Sequence, residues 1–203
     1  MQPIYVGDPV ARDLFNLVLA VWLGSEAWHW IGVVARGVRE RLSVGSFGQD
    51  RLSGPALIGG IVLAVVLGGR AALLLPNFAM GFLRPEIFAL GVVVALTGIA
   101  LRWYAIAVLG RFFSPRVVVT ADQAVIETGP YRLVRHPSYT GALLTVLGVL
   151  LCSTNWLTLA CFVIALPGFA YRMRVEEAAL IAGLGAPYRD YMTRTKRLIP
   201  YVL

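Results

Sequence analysis

Two apolar runs, Leu57 to Leu75 and Ile87 to Leu109, carry one charged residue each, Arg70 in the first and Arg102 in the second. A run of about 20 such residues, wound as a helix, reaches across the hydrocarbon of a bilayer, and a helix satisfies its own backbone polar groups where no water can. Leu14 to Val34 repeats the pattern, with Glu26 and His29 inside it. Tyr139 to Cys152 and Trp156 to Tyr171 are shorter runs, parted by Ser153-Thr154-Asn155, the composition of a turn in a helical hairpin. The whole chain agrees: it has 203 residues, 58% of them hydrophobic, and a mean hydropathy of +0.74. The fold class expected is an all-α integral membrane protein with about five transmembrane helices. Residues 1–109 form a three-span region; residues 110–203 hold the hairpin, at about 139–171, and a C-terminal segment; the whole makes one structural domain.

A net charge of +7 would suit a nucleic-acid binder, but the cations are distributed as a membrane topology requires. Arg36, Arg39, Arg41 and Arg51 follow the first span, Arg111, Arg116, Arg132 and Arg135 follow the third, and the tail adds Arg172, Arg174, Arg189, Arg194, Lys196 and Arg197. The opposite side holds Arg12, Arg70 and Arg84. The excess of Lys and Arg on cytoplasmic loops places the N-terminus outside and the C-terminus in the cytoplasm. The opening residues show no basic stretch followed by a cleavage site, so the first run is expected to be retained as a span. Cys152 and Cys161 both lie in apolar stretches with no CxxC pairing, which indicates neither a disulfide framework nor a metal site.

The inner segments hold the chemistry. GPYRLVRHPSYTG, residues 129 to 141, crowds Tyr131, Arg135, His136 and Tyr139 in front of a span, and Pro137 suits the first turn of a helix. Alone, His136 reads as a structural cap or as a polar group near neutrality. In RMRVEEAAL, Arg172 and Glu176 are four apart on one helical face, which fits either a surface ion pair or a site. Glu26 and His29 sit one turn apart at mid-depth, as a functional pair or a mutually satisfied one. Arg102, beside Trp103 and Tyr104, is expected to reach for the membrane surface, and Arg132 and Arg135 to do little beyond topology and lipid-phosphate contact. The β-branched run before Gly129 suggests a short extended segment or hairpin against the membrane. The helix after the fifth span is expected to break near Gly183, Gly185 and Pro187. Dinucleotide, Walker and HExxH patterns are absent.

Taken in order, RHPxYxG, RxxxEExxL, a glycine and YxxY resemble the isoprenylcysteine carboxyl methyltransferase family of integral membrane enzymes over about residues 100 to 200. The resemblance implies S-adenosylmethionine as methyl donor, held by a cytoplasmic cofactor-binding segment, and a lipophilic acceptor carboxylate arriving from the bilayer. Carried over by motif, the donor contacts are Tyr131, His136, Pro137, Ser138, Tyr139 and Glu176, with Gln123, Ala124, Val125 and Ile126 lining the adenosyl end mainly through backbone. Arg172 would bind the acceptor carboxylate, and Arg172 and Glu176 would be the catalytic pair. The expected partners are the lipophilic substrate and membrane lipids, with no nucleic acid and no metal. The chain departs from the family in being short, and in having Gly183-Leu184 where an aromatic pair is usual. Membrane sterol reductases, with an RHPxY-like motif and NADPH, are the alternative enzyme class; a non-catalytic membrane protein is the alternative outside enzymes.

Overall fold

In the computed structural model the described residues are 1–40, 52–114, 117, 119 and 122–200, with side chains left aside at Trp30 and residues 33–40. A short helix, α1 (Ile4–Gly7), leads into α2 (Pro9–Glu40); α3 (Ser53–Leu74), α4 (Arg84–Leu109), α5 (Pro137–Leu151), α6 (Trp156–Ala160), α7 (Phe162–Leu184) and α8 (Ala186–Arg194) follow. By length and composition α3, the segment Arg84–Phe112 and the segment Trp156–Leu184 are fit to cross a membrane. α2 covers the first expected span, and α5 is the short apolar helix of the hairpin. Of the cations counted toward the inner side, Arg41, Arg51 and Arg116 lie outside the described residues, as do the side chains of Arg36 and Arg39.

Glycine decides how the helices pair. On α4 and α5, a Cβ added at Gly98 would stand 2.5 Å from the Thr145 nitrogen, one at Gly141 would stand 2.6 Å from the Gly98 carbonyl, and one at Gly91 would stand 2.8 Å from the Cys152 nitrogen. The two backbones therefore touch along their length, as small residues permit where lipid supplies no hydrophobic drive between helices. α3 and α7 meet the same way, with a Cβ at Gly168 falling 2.8 Å from the Ala56 carbonyl. Two apolar cores result. Val18, Trp22, Phe88, Val92, Val146 and Leu150 join α2, α4 and α5, and Ala64, Ala142, Ala165, Phe169 and Met173 join α3, α5 and α7. Leu63, Val66, Leu90, Val93 and Val163 point outward and are exposed, an apolar outer face suited to lipid.

The hairpin turn forms as its composition indicates. Asn155 caps α6, its Oδ1 accepting from the Leu157 and Thr158 nitrogens at 3.0 and 3.1 Å, while its Nδ2 donates to the Leu75 carbonyl at 3.2 Å. The helix runs on past Tyr171 as its sequence indicates: α6 and α7, parted at Cys161, carry the chain from Trp156 to Leu184 through the charged RMRVEEAAL stretch. The extended segment or hairpin expected before Gly129 lies largely outside the described residues, which omit 115, 116, 118, 120 and 121. Buried Val119 packs on α7, where a Cβ at Gly183 would stand 2.5 Å from its Cγ1, and an exposed Arg111–Asp122 pair at 3.2 Å bridges the segment. The expected break after α7 falls at Gly185, whose φ of +64° turns the chain into α8.

Candidate active site

A cavity of about 1130 Å³ opens between the α4–α5 pair and the α3–α7 pair. Its wall is partly apolar, with Leu57, Ile58, Ile61 and Val62 from α3, Leu109 at the end of α4 and Phe112 in the turn that follows it. The remaining wall carries polar groups from α2, α4, the 114–126 stretch, the 131–139 stretch, α7 and α8. Tyr131, His136, Ser138, Tyr139, Arg172, Glu176 and the run Gln123 to Ile126 all line this one space, so the residues expected at the site converge from positions up to 53 apart in sequence, Gln123 to Glu176. Pro137 is the exception: fully buried at the first turn of α5, it starts the helix and faces away from the cavity lining.

Arg172 and Glu176 are joined through a third group. The Tyr139 hydroxyl donates to Glu176 Oε2 at 2.6 Å and accepts from Arg172 Nε at 3.2 Å, while Arg172 Nη1 donates to Ser53 Oγ at 2.9 Å. α3, α5 and α7 thereby fix one buried guanidinium, 4% exposed, at the cavity wall. The Tyr139 ring lies against His136, centroids 5.4 Å apart at 24°, and meets Phe169 edge-on at 5.9 Å, so both ends of the phenol are located.

Glu177, the neighbour of Glu176, does different work. Successive helix positions point about 100° apart, and Glu177 is turned away from the cavity that Glu176 lines. Glu177 turns to the protein interior, 3% exposed, and accepts from Arg135 Nε at 2.9 Å, from Arg197 Nη2 at 2.7 Å and from His136 Nε2 at 3.3 Å. Arg135 also donates to the Met192 and Thr195 carbonyls. The expectation for Arg135 is therefore corrected: its side chain is 9% exposed and ties the RHP segment to α7 and the tail, because a cation buried beside Glu177 is neutralised there and does not reach lipid. Arg132 stays exposed.

Main-chain bonds close the tail over this segment. The Arg135 and His136 nitrogens donate to the Lys196 and Arg197 carbonyls at 2.8 and 3.0 Å, and Thr140 Oγ1 donates to the Leu198 carbonyl at 2.8 Å. On α8, Tyr188 and Tyr191 are buried and both line the cavity. Tyr191 donates to the Tyr131 carbonyl at 2.6 Å. Burial pushes the Tyr131 and Tyr188 phenols well up and Tyr191 up to about 12, so all three are protonated donors at neutral pH.

Arg102 does not reach for the membrane surface. Its fork binds Glu26, Nε to Oε1 at 2.5 Å and Nη2 to Oε2 at 2.8 Å, and its Nη1 donates to Ser138 Oγ at 2.9 Å, all three side chains lining the cavity. A carboxylate within reach outweighs the distance to water. Glu26 is thus satisfied by α4 and not by its neighbour His29, whose ring packs edge-on against Trp103 and Phe113. Sequence reasoning also passed over Ser53, Glu177 and Arg197; for Glu177 the doubled glutamate was the available signal.

Residues 89–182 match the model of the isoprenylcysteine carboxyl methyltransferase (ICMT) family. The chain resembles that family by motif, by sequence match and by fold. A protein-S-isoprenylcysteine O-methyltransferase of Saccharomyces cerevisiae is 34% identical over 117 residues, 56% of this chain and 48% of that protein. The enzyme of that name from Schizosaccharomyces pombe is 27% identical over 156 residues, 72% of this chain and 66% of its own length. The chain thus spans about half to two thirds of these curated relatives. A solved structure of the eukaryotic intramembrane Ras methyltransferase ICMT superposes with a TM-score of 0.61 at 20% identity, covering 98% of this chain and 70% of the other, which shows a common fold. The matched family region contains Arg102, the RHPSY segment and Arg172 to Glu177; Glu26, Tyr188 and the tail lie outside it.

Proposed function

We propose that this chain is an integral membrane carboxyl O-methyltransferase that moves a methyl group from S-adenosylmethionine to the carboxylate of a lipophilic, isoprenylcysteine-like acceptor. The observation that carries the reading is the convergence in one cavity of the Arg172–Tyr139–Glu176 array, the Gln123 to Ile126 run and an apolar wall on α3. The names of the relatives supply the acceptor class.

The residues present fit the donor. The cavity exceeds the ~300–1,000 Å³ of ordinary ligand pockets, leaving room for a donor and an acceptor headgroup. Glu176, half-buried and ionisable, suits the donor's ammonium; Tyr131, the 123–126 backbone and the His136–Tyr139 stack suit its adenosyl part. When bound, S-adenosylmethionine supplies an electrophilic methyl on a sulfonium, open to in-line displacement. The acceptor carboxylate is ionised already, so the chain needs no strong base. Its task is to align two reactants and keep water out, for which orientation is worth up to about 7–11 kcal/mol. Arg172 is the group for the acceptor: its guanidinium, fixed by Tyr139 and Ser53, offers a charged donor to one carboxylate oxygen while the other attacks. The apolar wall takes the lipid part, and the tail with Tyr188 and Tyr191 covers the donor side.

The reading includes a topology with the N-terminus outside, the C-terminus in the cytoplasm and the acceptor arriving from the bilayer. Radiolabelled S-adenosylmethionine incubated with purified protein and prenylcysteine analogues, fatty acids or membrane lipids tests the activity. Label released by base as volatile methanol marks a methyl ester. Protein that binds NADPH in calorimetry and ignores S-adenosylhomocysteine would sink the reading.

A further inference from the structure

We propose that Glu26 and Arg102 form a positioning pair for the methyl-donor site, holding Ser138 and the first turn of α5 in the place from which His136 and Tyr139 face the cavity. The guanidinium is used on three sides: Nε and Nη2 engage both oxygens of Glu26 at 2.5 and 2.8 Å, and Nη1 donates to Ser138 Oγ at 2.9 Å and leans on the Ser138 carbonyl at 3.4 Å. Such a planar fork fixes direction as well as distance, which a lysine in the same place cannot do.

Two physical arguments give the pair a role beyond joining helices. Ionisable groups inside an apolar span are costly, and apolar side chains of similar volume often stabilise a buried contact better than an ion pair does. The pair also faces the cavity and not lipid, its side chains being 16% and 27% exposed, and its chemistry continues around the wall. Arg102 holds Ser138; the next residue, Tyr139, donates to Glu176; Arg172 donates to Tyr139 and to Ser53. One belt of polar contacts therefore runs from α2 through α4 and α5 to α7 and α3. Glu26 is its far end, so α2, outside the family match, is part of the site.

The proposal rests on the cavity being the methyl-donor site. Calorimetric titration of the detergent-solubilised full chain with S-adenosylhomocysteine, paired with thermal unfolding of the ligand-free protein, tests it. Arg102→Lys keeps the charge and loses the fork; Glu26→Gln keeps the shape and loses the charge. Each is expected to weaken binding by about tenfold, and the double variant by no more than Arg102→Lys alone, because both act through one contact. Variants that unfold at lower temperature while the folded protein binds with unchanged Kd make the pair architectural and overturn the proposal alone. Wild-type protein that ignores S-adenosylhomocysteine overturns the pair and the donor site together.

Discussion

At the scale of single residues, Tyr139 holds the most leverage, because one hydroxyl serves both a carboxylate and a guanidinium while the ring is located by His136 and Phe169. Tyr139→Phe keeps the ring and removes the link. Turnover is expected to fall roughly 10- to 100-fold with the melting temperature little changed, as single-turnover assays beside thermal unfolding will show. Glu177 gives the opposite result, since it holds the tail to the RHP segment through Arg135 and Arg197. Glu177→Gln leaves buried Arg135 facing a neutral amide and is expected to cost about 2–3 kcal/mol in denaturant unfolding. An unchanged midpoint would show that the tail is held by its main-chain bonds alone.

At the scale of elements, the glycines of α4 and α3 separate packing from propensity. Gly98 has backbone atoms 2.5 Å from its missing Cβ, whereas Gly69 has nothing within 4 Å. Gly98→Ala should destabilise by about 1–3 kcal/mol through overpacking. Gly69→Ala should be neutral or stabilising by up to about 1 kcal/mol through helix propensity. Unfolding curves of equal midpoint for the two variants would refute the glycine contact. Elements were also what the sequence disclosed best, since the apolar runs, the Ser-Thr-Asn turn and the break at Gly185 are written in adjacent residues. The RHPSY segment and the Arg172, Glu176 spacing were legible for the same reason. Glu26 with Arg102, 76 positions apart, was not, because no local pattern tells a cation which distant helix will bring it a carboxylate. Arg135 was misread because its partner lies on a helix 42 residues on.

At the scale of the whole molecule, the distribution of cations sets the orientation to be tested. Asp190 is exposed on α8, on the side proposed to be cytoplasmic. With Cys161→Ala to lower the background, Asp190→Cys should react with a membrane-impermeant maleimide in inside-out vesicles and be protected in right-side-out ones. The reverse pattern would invert the topology.

The two glycine-lined contacts have a mechanical consequence. Where backbone lies on backbone, no layer of side chains remains to shear, so α4 with α5 and α3 with α7 behave as two stiff plates. The cavity lies between the plates, which are joined beside it where Ala142 of α5 packs with Ala64, Ala165 and Phe169. The width of the cavity is therefore set by the spacing between the plates and not by the packing within either one. The Tyr139 hydroxyl, accepting from Arg172 across that gap, is one of the contacts that hold this spacing.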